Sequence, residues 1–158
     1  MLLDGGRLAA ACVCGAPGHT GLVNDLQGSR VSRRYARFAM TPASNDPTEI
    51  DVDPARVADW LVEDPAPQVI DVREAYEREA GHIADTRHIE LVALTAAAAS
   101  IERERPVVFY CRVGARSRMA AQAFRASGYE AYSMKGGLRR WADEGRALSP
   151  EGGQVADH

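Results

Sequence analysis

The feature that most constrains this chain is a regular alternation of short apolar strands with helices over residues 49–148. Residues 106–110 are continuously apolar, as is typical of a strand covered on both faces of a parallel sheet. Residues 68–72 are rich in β-branched side chains and predict another strand. Strands that alternate with helices pair in parallel. The sequence therefore predicts an α/β fold with a central parallel β-sheet of about five strands, flanked by helices on both faces.

The hydrophobic period and the chain breakers predict five strands and five helices. Asp53 is expected to be a helix N-cap, with Pro54 at the first helical position. In the helix predicted over residues 115–126, Met119, Ala123 and Phe124 are expected to face the core. The predicted strands are residues 49–52, 68–72, 87–91, 106–110 and 131–134, and the predicted helices are residues 54–64, 74–80, 92–104, 115–126 and 138–144.

Length and composition indicate one folded domain. The 158 residues are 46% apolar and 26% charged, which lies within the globular range. No apolar stretch approaches the roughly 20 residues that span a bilayer. We predict a flexible N-terminal extension and linker over residues 1–47, a domain over 48–150 and a C-terminal tail over 151–158. The three cysteines do not form a disulfide framework and favour a reducing, cytoplasmic location.

Residues 1–39 show no clear helical or strand period. A flexible tail is the simplest interpretation. A secretory or lipoprotein signal, the latter around Cys12, is an alternative. A zinc fragment of Cys12, Cys14 and His19 is another, although a fourth ligand at the usual spacing is missing. A start of translation at Met40 is a further hypothesis, and peptides from residues 1–39 in the native protein would contradict it.

The charge is unevenly distributed. The formal net charge is -3, so neither nucleic acid nor a membrane is an expected partner. Residues 1–39 carry five Arg and two Asp, which leaves 14 of the 19 basic and 20 of the 22 acidic residues to the rest. Within this acidic remainder, residues 105–129 contain five Arg and no Asp or Glu. A positive stretch of this kind indicates a small anionic substrate.

Cys111 begins a segment suited to nucleophilic sulfur chemistry. A strand ends at this residue, and a tight loop leads into a helix at Ala115. Such a loop can turn successive N–H groups toward one point, and the helix N-terminus adds partial positive charge there. Gly114 permits the required positive φ. A positive, partly exposed loop fits a reactive thiolate; the alternative is an inert, buried cysteine.

Four motifs follow one another along the chain. They are Asp71-Val72-Arg73-Glu74, Gly81-His82-Ile83, Tyr110-Cys111 with its loop, and Gly136-Gly137 with Trp141. Together they resemble the single-domain rhodanese, or thiosulfate sulfurtransferase, family, and they occur in the family's order and spacing across roughly two-thirds of the chain. The family fold is a central parallel sheet flanked by helices, which agrees with the alternation described above.

The resemblance implies that Cys111 is the catalytic nucleophile of a sulfurtransferase. Its thiolate would take the outer sulfur of thiosulfate or a similar small anionic donor, forming a persulfide. Cyanide or a thiol would then remove that sulfur, which implies ping-pong kinetics. The resemblance calls for no cofactor and no metal, and for a monomer or homodimer. The implied substrate-binding loop is Arg112, Val113, Gly114, Ala115, Arg116 and Ser117.

Other motif residues are expected to be structural. Asp71 is predicted to pair with Arg73, with orientation of the active loop as the alternative role. His82 is predicted to support a turn. Arg116 is expected to support the loop or the donor, and a salt bridge to a neighbouring acid is the alternative.

Three positions depart from the family pattern. Arg78 stands where an aromatic residue is frequent, Asp85-Thr86 replaces a common Gly-Ala pair, and Leu138 replaces a frequent aromatic residue. These departures are expected to alter local packing and pocket shape rather than the sulfur chemistry.

Two other functions remain as alternatives. Cysteine phosphatases and arsenate reductases bind oxyanions in similar nests, but the phosphatase pattern has five residues between Cys and Arg. Here four residues separate Cys111 from Arg116, and no convincing Asp general acid is evident. A non-catalytic binding module with the same fold is the second alternative, because fold does not fix function.

Overall fold

Five short parallel strands form one sheet in the computed structural model, which describes residues 49–157. All pairings in this sheet are parallel, and the strand order is β1-β5-β4-β2-β3. The predictions for residues 1–47, including the signal, zinc and Met40 hypotheses, lie outside the described residues. The strands are β1 (Asp51–Val52), β2 (Gln68–Asp71), β3 (Arg87–His88), β4 (Val107–Tyr110) and β5 (Ala131–Met134).

Helices cover both faces of this sheet. One face packs against α1 and α5, and the other packs against α3 and α4. The predicted α/β fold, with a parallel sheet flanked by helices, is confirmed. The helices are α1 (Pro54–Leu61), α2 (Ala75–Ala80), α3 (Leu94–Ala97), α4 (Ala115–Ala126) and α5 (Gly137–Asp143).

The position of β4 in the middle of the sheet explains why its sequence is continuously apolar. Every residue of β4 is buried, and alternate side chains point to opposite faces of a strand. Val107 and Phe109 therefore join the core beneath α4, while Val108 and Tyr110 join the core beneath α1 and α5. Phe109 meets Phe124 of α4 edge to face, with ring centroids 4.9 Å apart.

The predicted helix over residues 92–104 is wrong in length. Only Leu94–Ala97 is α-helical, between single 3₁₀ turns at Leu91–Ala93 and Ala98–Ser100. Alanine favours helix, and Leu94, Ala97 and Ala98 contact the core, but the regular helix does not continue to residue 104. Ile101 instead adopts an extended conformation and is buried in the core.

The face that α4 turns to the core also differs from the prediction. Met119 and Ala123 are exposed, and only Phe124 of the predicted set is buried. The buried residues are Ser117, Ala120, Ala121 and Phe124, which follow the spacing of one helical face. Their mostly small side chains allow the helix to lie close to the sheet.

The topology places the candidate residues at one edge of the sheet. Parallel strands share the edge at their carboxyl ends, where ligands bind in open α/β sheets. Asp71 ends β2 directly beside Tyr110, which ends β4. Cys111 and Arg73 therefore follow neighbouring central strands.

Residues 149–157 fold back onto the domain. The backbones of Ser149 and His82 exchange two hydrogen bonds of 2.7 and 2.9 Å, and Gln154 N–H donates to Ala80 O at 2.8 Å. Val155 packs against the core beneath α1 and α5. Within residues 49–157, no helix is both long and apolar enough to cross a membrane.

Replacing Phe109 with Ala should lower the free energy of unfolding by about 3–5 kcal/mol, because a buried ring is lost and leaves a cavity. Urea denaturation monitored by circular dichroism measures the change. Val62→Ala is the control, since Val62 is 87% exposed and should change stability by no more than about 0.5 kcal/mol. Equal effects of the two substitutions would contradict the described core.

Candidate active site

Cys111 lies immediately after β4, under a short loop. Its Sγ accepts a hydrogen bond from Gly114 N–H at 3.1 Å, and Ser117 Oγ lies 3.7 Å away. Gly114 has φ +101°, in agreement with the turn predicted from sequence. The loop is exposed at Val113, at 57%, but Cys111 itself is only 1% exposed. The expectation of a partly exposed loop thus holds for Val113 and not for Cys111, which is part of the hydrophobic core.

The N-terminus of α4 points its free amides toward the same loop. The first hydrogen bond of this helix runs from Arg118 N–H to Gly114 O, at 3.0 Å. The amides of Ala115, Arg116 and Ser117 therefore have no acceptor within the helix. Together with the helix dipole, they make this end of α4 favourable for negative charge.

The start of α5 fixes the loop from the opposite side. Leu138 N–H donates to Cys111 O at 2.7 Å, and Arg139 N–H donates to Arg112 O at 2.9 Å. A Cβ atom on Gly137 would lie 2.4 Å from Cys111 O, which is too close for any side chain. Glycine at position 137 is therefore required by the close approach of two backbone segments.

Arg116 does not stand free beside the cysteine. Its two terminal nitrogens donate to the two oxygens of Glu77, both at 2.7 Å. This is the salt bridge to an acid that the sequence left as an alternative, although its partner lies 39 residues away. Glu77 also accepts Glu74 N–H at 3.1 Å, which anchors the first turn of α2.

The Glu77–Arg116 pair shifts the pKa values of both groups. Burial alone would raise the pKa of Glu77. The hydrogen bonds from Arg116 and from Glu74 N–H, with the charges of Arg116 and Arg73, instead hold that pKa below the ordinary value of 4.5. The hydrogen bonds and charge of Glu77 raise the pKa of Arg116 despite its partial burial, and the adjacent Cys111 sulfur acts in the same direction.

Asp71 and Arg73 form a fully buried ion pair. Arg73 Nη2 lies 2.7 Å from Asp71 Oδ2, and neither side chain is exposed to solvent. Arg73 also donates to Glu77 O at 3.0 Å and to Gly81 O at 2.8 Å. The pair thus holds the middle and the C-terminal end of α2 against the carboxyl end of β2.

The remaining predicted residues have separate roles. Arg112 forms an ion pair with Asp157. Ser117 is buried and its Oγ lies 3.1 Å from Gly114 O and 2.9 Å from Ser133 Oγ. The His82 ring contacts Arg78 O at 3.0 Å, and its described contacts do not include the Cys111 loop. His82 therefore lies at the turn after α2, apart from the Cys111 loop.

Two of the departures from the family pattern contact each other. Arg78 donates to Thr86 O at 2.6 Å and lies 3.7 Å from Asp71 Oδ2. Asp85 adopts φ +57°, a conformation that glycine adopts readily and Asp tolerates. Thr86 Oγ1 lies 3.0 Å from the hydroxyl of Tyr110. The substituted residues therefore form a local polar cluster beside the buried ion pair.

Sequence reasoning did not identify Glu77, Ser133 or Gly137 individually as site residues. The spacing of Glu74 and Glu77 matches a capping box, which the structure contains, but that pattern indicates a helix start and not a buried acid. The described residues contain no group of three or more His, Cys, Asp or Glu placed to hold a metal ion.

Comparison with known proteins identifies the class to which this fold and site belong. A family model described as "Rhodanese-like domain" matches residues 53–144, which is more than half of the chain. The chain therefore belongs to the rhodanese-like domain family. Relatives in this family include proteins named as sulfurtransferases.

Two curated relatives illustrate the similarity. The uncharacterised protein YqhL of Bacillus subtilis is 42% identical over 81 residues, which cover 51% of this chain and 64% of YqhL. The thiosulfate sulfurtransferase GlpE of Coxiella burnetii is 34% identical over 74 residues, which cover 46% of this chain and 69% of GlpE. The match to YqhL thus spans less than two thirds of that protein.

A solved structure agrees with the described fold. The rhodanese-related protein from Thermoplasma volcanium superposes with a TM-score of 0.59 at 27% identity. The superposition covers 64% of this chain and 98% of that structure.

Gly137→Ala should destabilise the protein far more than Gly145→Ala, because only the first substitution forces a methyl group against the Cys111–Arg112 backbone. Both glycines have positive φ, +59° and +73°, but Gly145 has no atom within 4 Å of the added Cβ. Gly145→Ala should cost about 1–2 kcal/mol of unfolding free energy, and Gly137→Ala at least twice as much. Similar urea midpoints for the two variants would contradict the described loop packing.

Glu77→Gln should lower the free energy of unfolding by about 2 kcal/mol at pH 7, because a charged, bidentate contact with Arg116 is lost. A carboxyl whose pKa is lowered by folding stabilises the protein above its unfolded pKa, and this contribution is lost as the pH falls. The difference between the two proteins should therefore be complete above about pH 5 and shrink below the ordinary value of 4.5. Urea denaturation across this pH range tests it; a constant difference at all pH values would contradict the ion pair.

Proposed function

We propose that the protein is a sulfurtransferase that carries a sulfane sulfur as a persulfide on Cys111. In the first half-reaction the Cys111 thiolate attacks the outer sulfur of thiosulfate. A bond forms between the two sulfurs, the S–S bond of thiosulfate breaks, and sulfite leaves with the bonding electron pair. Net charge is conserved, and no external oxidant or reductant is consumed.

The observation that best supports this proposal is the position of Cys111 Sγ at the free end of α4. Gly114 N–H already donates to this sulfur at 3.1 Å, and the amides that follow have no helical acceptor. A thiolate and a persulfide anion both gain from such donors. A cysteine serving only as an apolar filler would gain nothing from them.

In the second half-reaction a thiophilic acceptor removes the outer sulfur. Cyanide or a thiolate attacks that sulfur, the persulfide S–S bond breaks, and the Cys111 thiolate is restored. The outer sulfur of a persulfide stands about 2 Å beyond Sγ. Because Cys111 is only 1% exposed, this extension brings the transferable atom closer to an incoming acceptor than the thiol itself.

The contacts of Arg116 weigh against a cysteine phosphatase or arsenate reductase. Both terminal nitrogens of Arg116 donate to Glu77, so the charge of Arg116 is already compensated and attracts an oxyanion less than an unpaired arginine would. The four-residue spacing between Cys111 and Arg116 also makes a smaller cradle than the phosphatase pattern.

The proposal predicts that thiosulfate adds the mass of one sulfur atom to the reduced protein and that cyanide removes it. Intact-mass spectrometry before and after each addition is the measurement. Cys111→Ser is the control, and it should gain no mass with thiosulfate because its hydroxyl is not a sulfur nucleophile.

Two results would contradict the proposal. The absence of an adduct with thiosulfate and with other sulfane donors would favour the oxyanion or binding-module alternatives. Slow alkylation of Cys111 by iodoacetamide at neutral pH, together with no adduct, would favour the binding module specifically.

A further inference from the structure

A cavity of about 470 Å³ adjoins the Cys111 loop, between the start of α2 and the segment after β3. This volume suits a small organic molecule and is larger than cyanide needs. Val72 and Arg116 line the cavity, and Val72 N–H donates to Tyr110 O at 3.0 Å, so the cavity lies beside the strand end that carries Cys111. Its apolar lining residues are Val72, Ala75, Tyr76, Leu91 and Val92.

The polar lining of this cavity carries a net negative charge. Glu74 and Glu90 line it, and both carboxylates are held by backbone amides of α2. Glu90 Oε1 accepts Ala75 N–H at 3.1 Å, and Glu74 takes part in the capping box. The charge of Arg116 is already balanced by Glu77 at 2.7 Å. A ligand in the cavity therefore meets two fixed carboxylates without a free positive charge.

We propose that this cavity binds the sulfur acceptor and selects a thiol that also carries a protonated amine. The inference rests on the proposed sulfurtransferase function and names its acceptor class. The thiolate of such an aminothiol attacks the outer sulfur of the Cys111 persulfide. The persulfide S–S bond breaks, an alkyl persulfide leaves, and Cys111 returns as a thiolate, so atoms and electrons balance.

This arrangement separates the two half-reactions by charge. The amide-lined end of α4 favours an anionic donor, while Glu74 and Glu90 disfavour an anion in the neighbouring cavity and attract an ammonium group. Short carbon chains between the amine and the thiol can pack against Tyr76 and Leu91. An anionic thiol would lose the attraction and meet repulsion instead.

Three thiols of similar size separate charge from shape. Cysteamine is cationic, 2-mercaptoethanol is neutral and 3-mercaptopropionate is anionic at pH 7. Wild-type protein is loaded with thiosulfate, freed of donor and mixed with each thiol. Acid quenching and intact-mass spectrometry then give the rate constant for loss of the persulfide. The thiols differ in intrinsic reactivity. The rate constant of each variant is therefore compared with that of the wild type for the same thiol.

Glu90→Gln and Glu74→Gln remove one charge each and keep an oxygen acceptor for the backbone amide. Each should slow transfer to cysteamine by about threefold to tenfold and speed transfer to 3-mercaptopropionate by a similar factor, with little change for 2-mercaptoethanol. These effects should weaken at high ionic strength. Glu104→Gln is the matched control, since Glu104 is exposed before β4, at the opposite edge of the sheet.

The outcomes distinguish this inference from the proposed function. If the wild type acquires the persulfide but each of the three variants changes the rate constant by the same factor for all three thiols, only the acceptor assignment is overturned. Wild type that never acquires a persulfide would overturn the sulfurtransferase proposal and this inference with it. Opposite changes for the cationic and anionic thiols, confined to Glu90→Gln and Glu74→Gln, are the result expected.

Discussion

The rest of the site depends on the buried ion pair between Asp71 and Arg73. Neither side chain reaches solvent, so protein groups stabilise both charges: each stabilises the other, two backbone carbonyls accept from Arg73, and Arg78 lies 3.7 Å from Asp71. Those carbonyls belong to Glu77 and Gly81, so Arg73 places the middle and the C-terminal end of α2 relative to the sheet. Removing one partner of such a pair typically costs about 3–5 kcal/mol, since the other charge stays buried. The pair therefore fixes where the Glu77 carboxylate stands, and through it where Arg116 and the first turn of α4 lie.

The Cys111 loop is held between this network and the start of α5. One side is tied by Arg116 to Glu77, and the other by the amides of Leu138 and Arg139. A loop fixed on both sides keeps its free amides oriented, so the proposed sulfur transfer would need no further ordering of the loop as negative charge develops on sulfur. The Leu138 departure from the family pattern is tolerated here because the contact with Cys111 uses its backbone N–H and not its side chain.

The family departures at Arg78 and Thr86 are coupled in space. Arg78, which stands where the family often has an aromatic residue, is a second cation near Asp71. The carbonyl and hydroxyl of Thr86 accept hydrogen bonds from Arg78. The Thr86 hydroxyl also meets Tyr110, whose pKa is raised by burial and by the nearby charge of Asp71. Sequence patterns could identify each departure but could not indicate that two of them compensate for each other, since they lie eight residues apart across a turn.

The sequence by itself determined the succession of strands and helices along the chain, the parallel pairing of the strands, and the position of Cys111 at a strand end before a glycine turn. It also determined the Asp71–Arg73 pair, because residues two apart at the end of a strand are close whatever the rest of the fold does. Only the tertiary structure decided the burial of Cys111, the face of α4 that meets the sheet, the shortness of α3 and the choice of Glu77 as the partner of Arg116. Local periodicity records which residues are apolar. It does not indicate which distant side chain will pair with a charge or fill a gap when the layers pack. Glu77, the partner of Arg116, lies 39 residues away in the sequence.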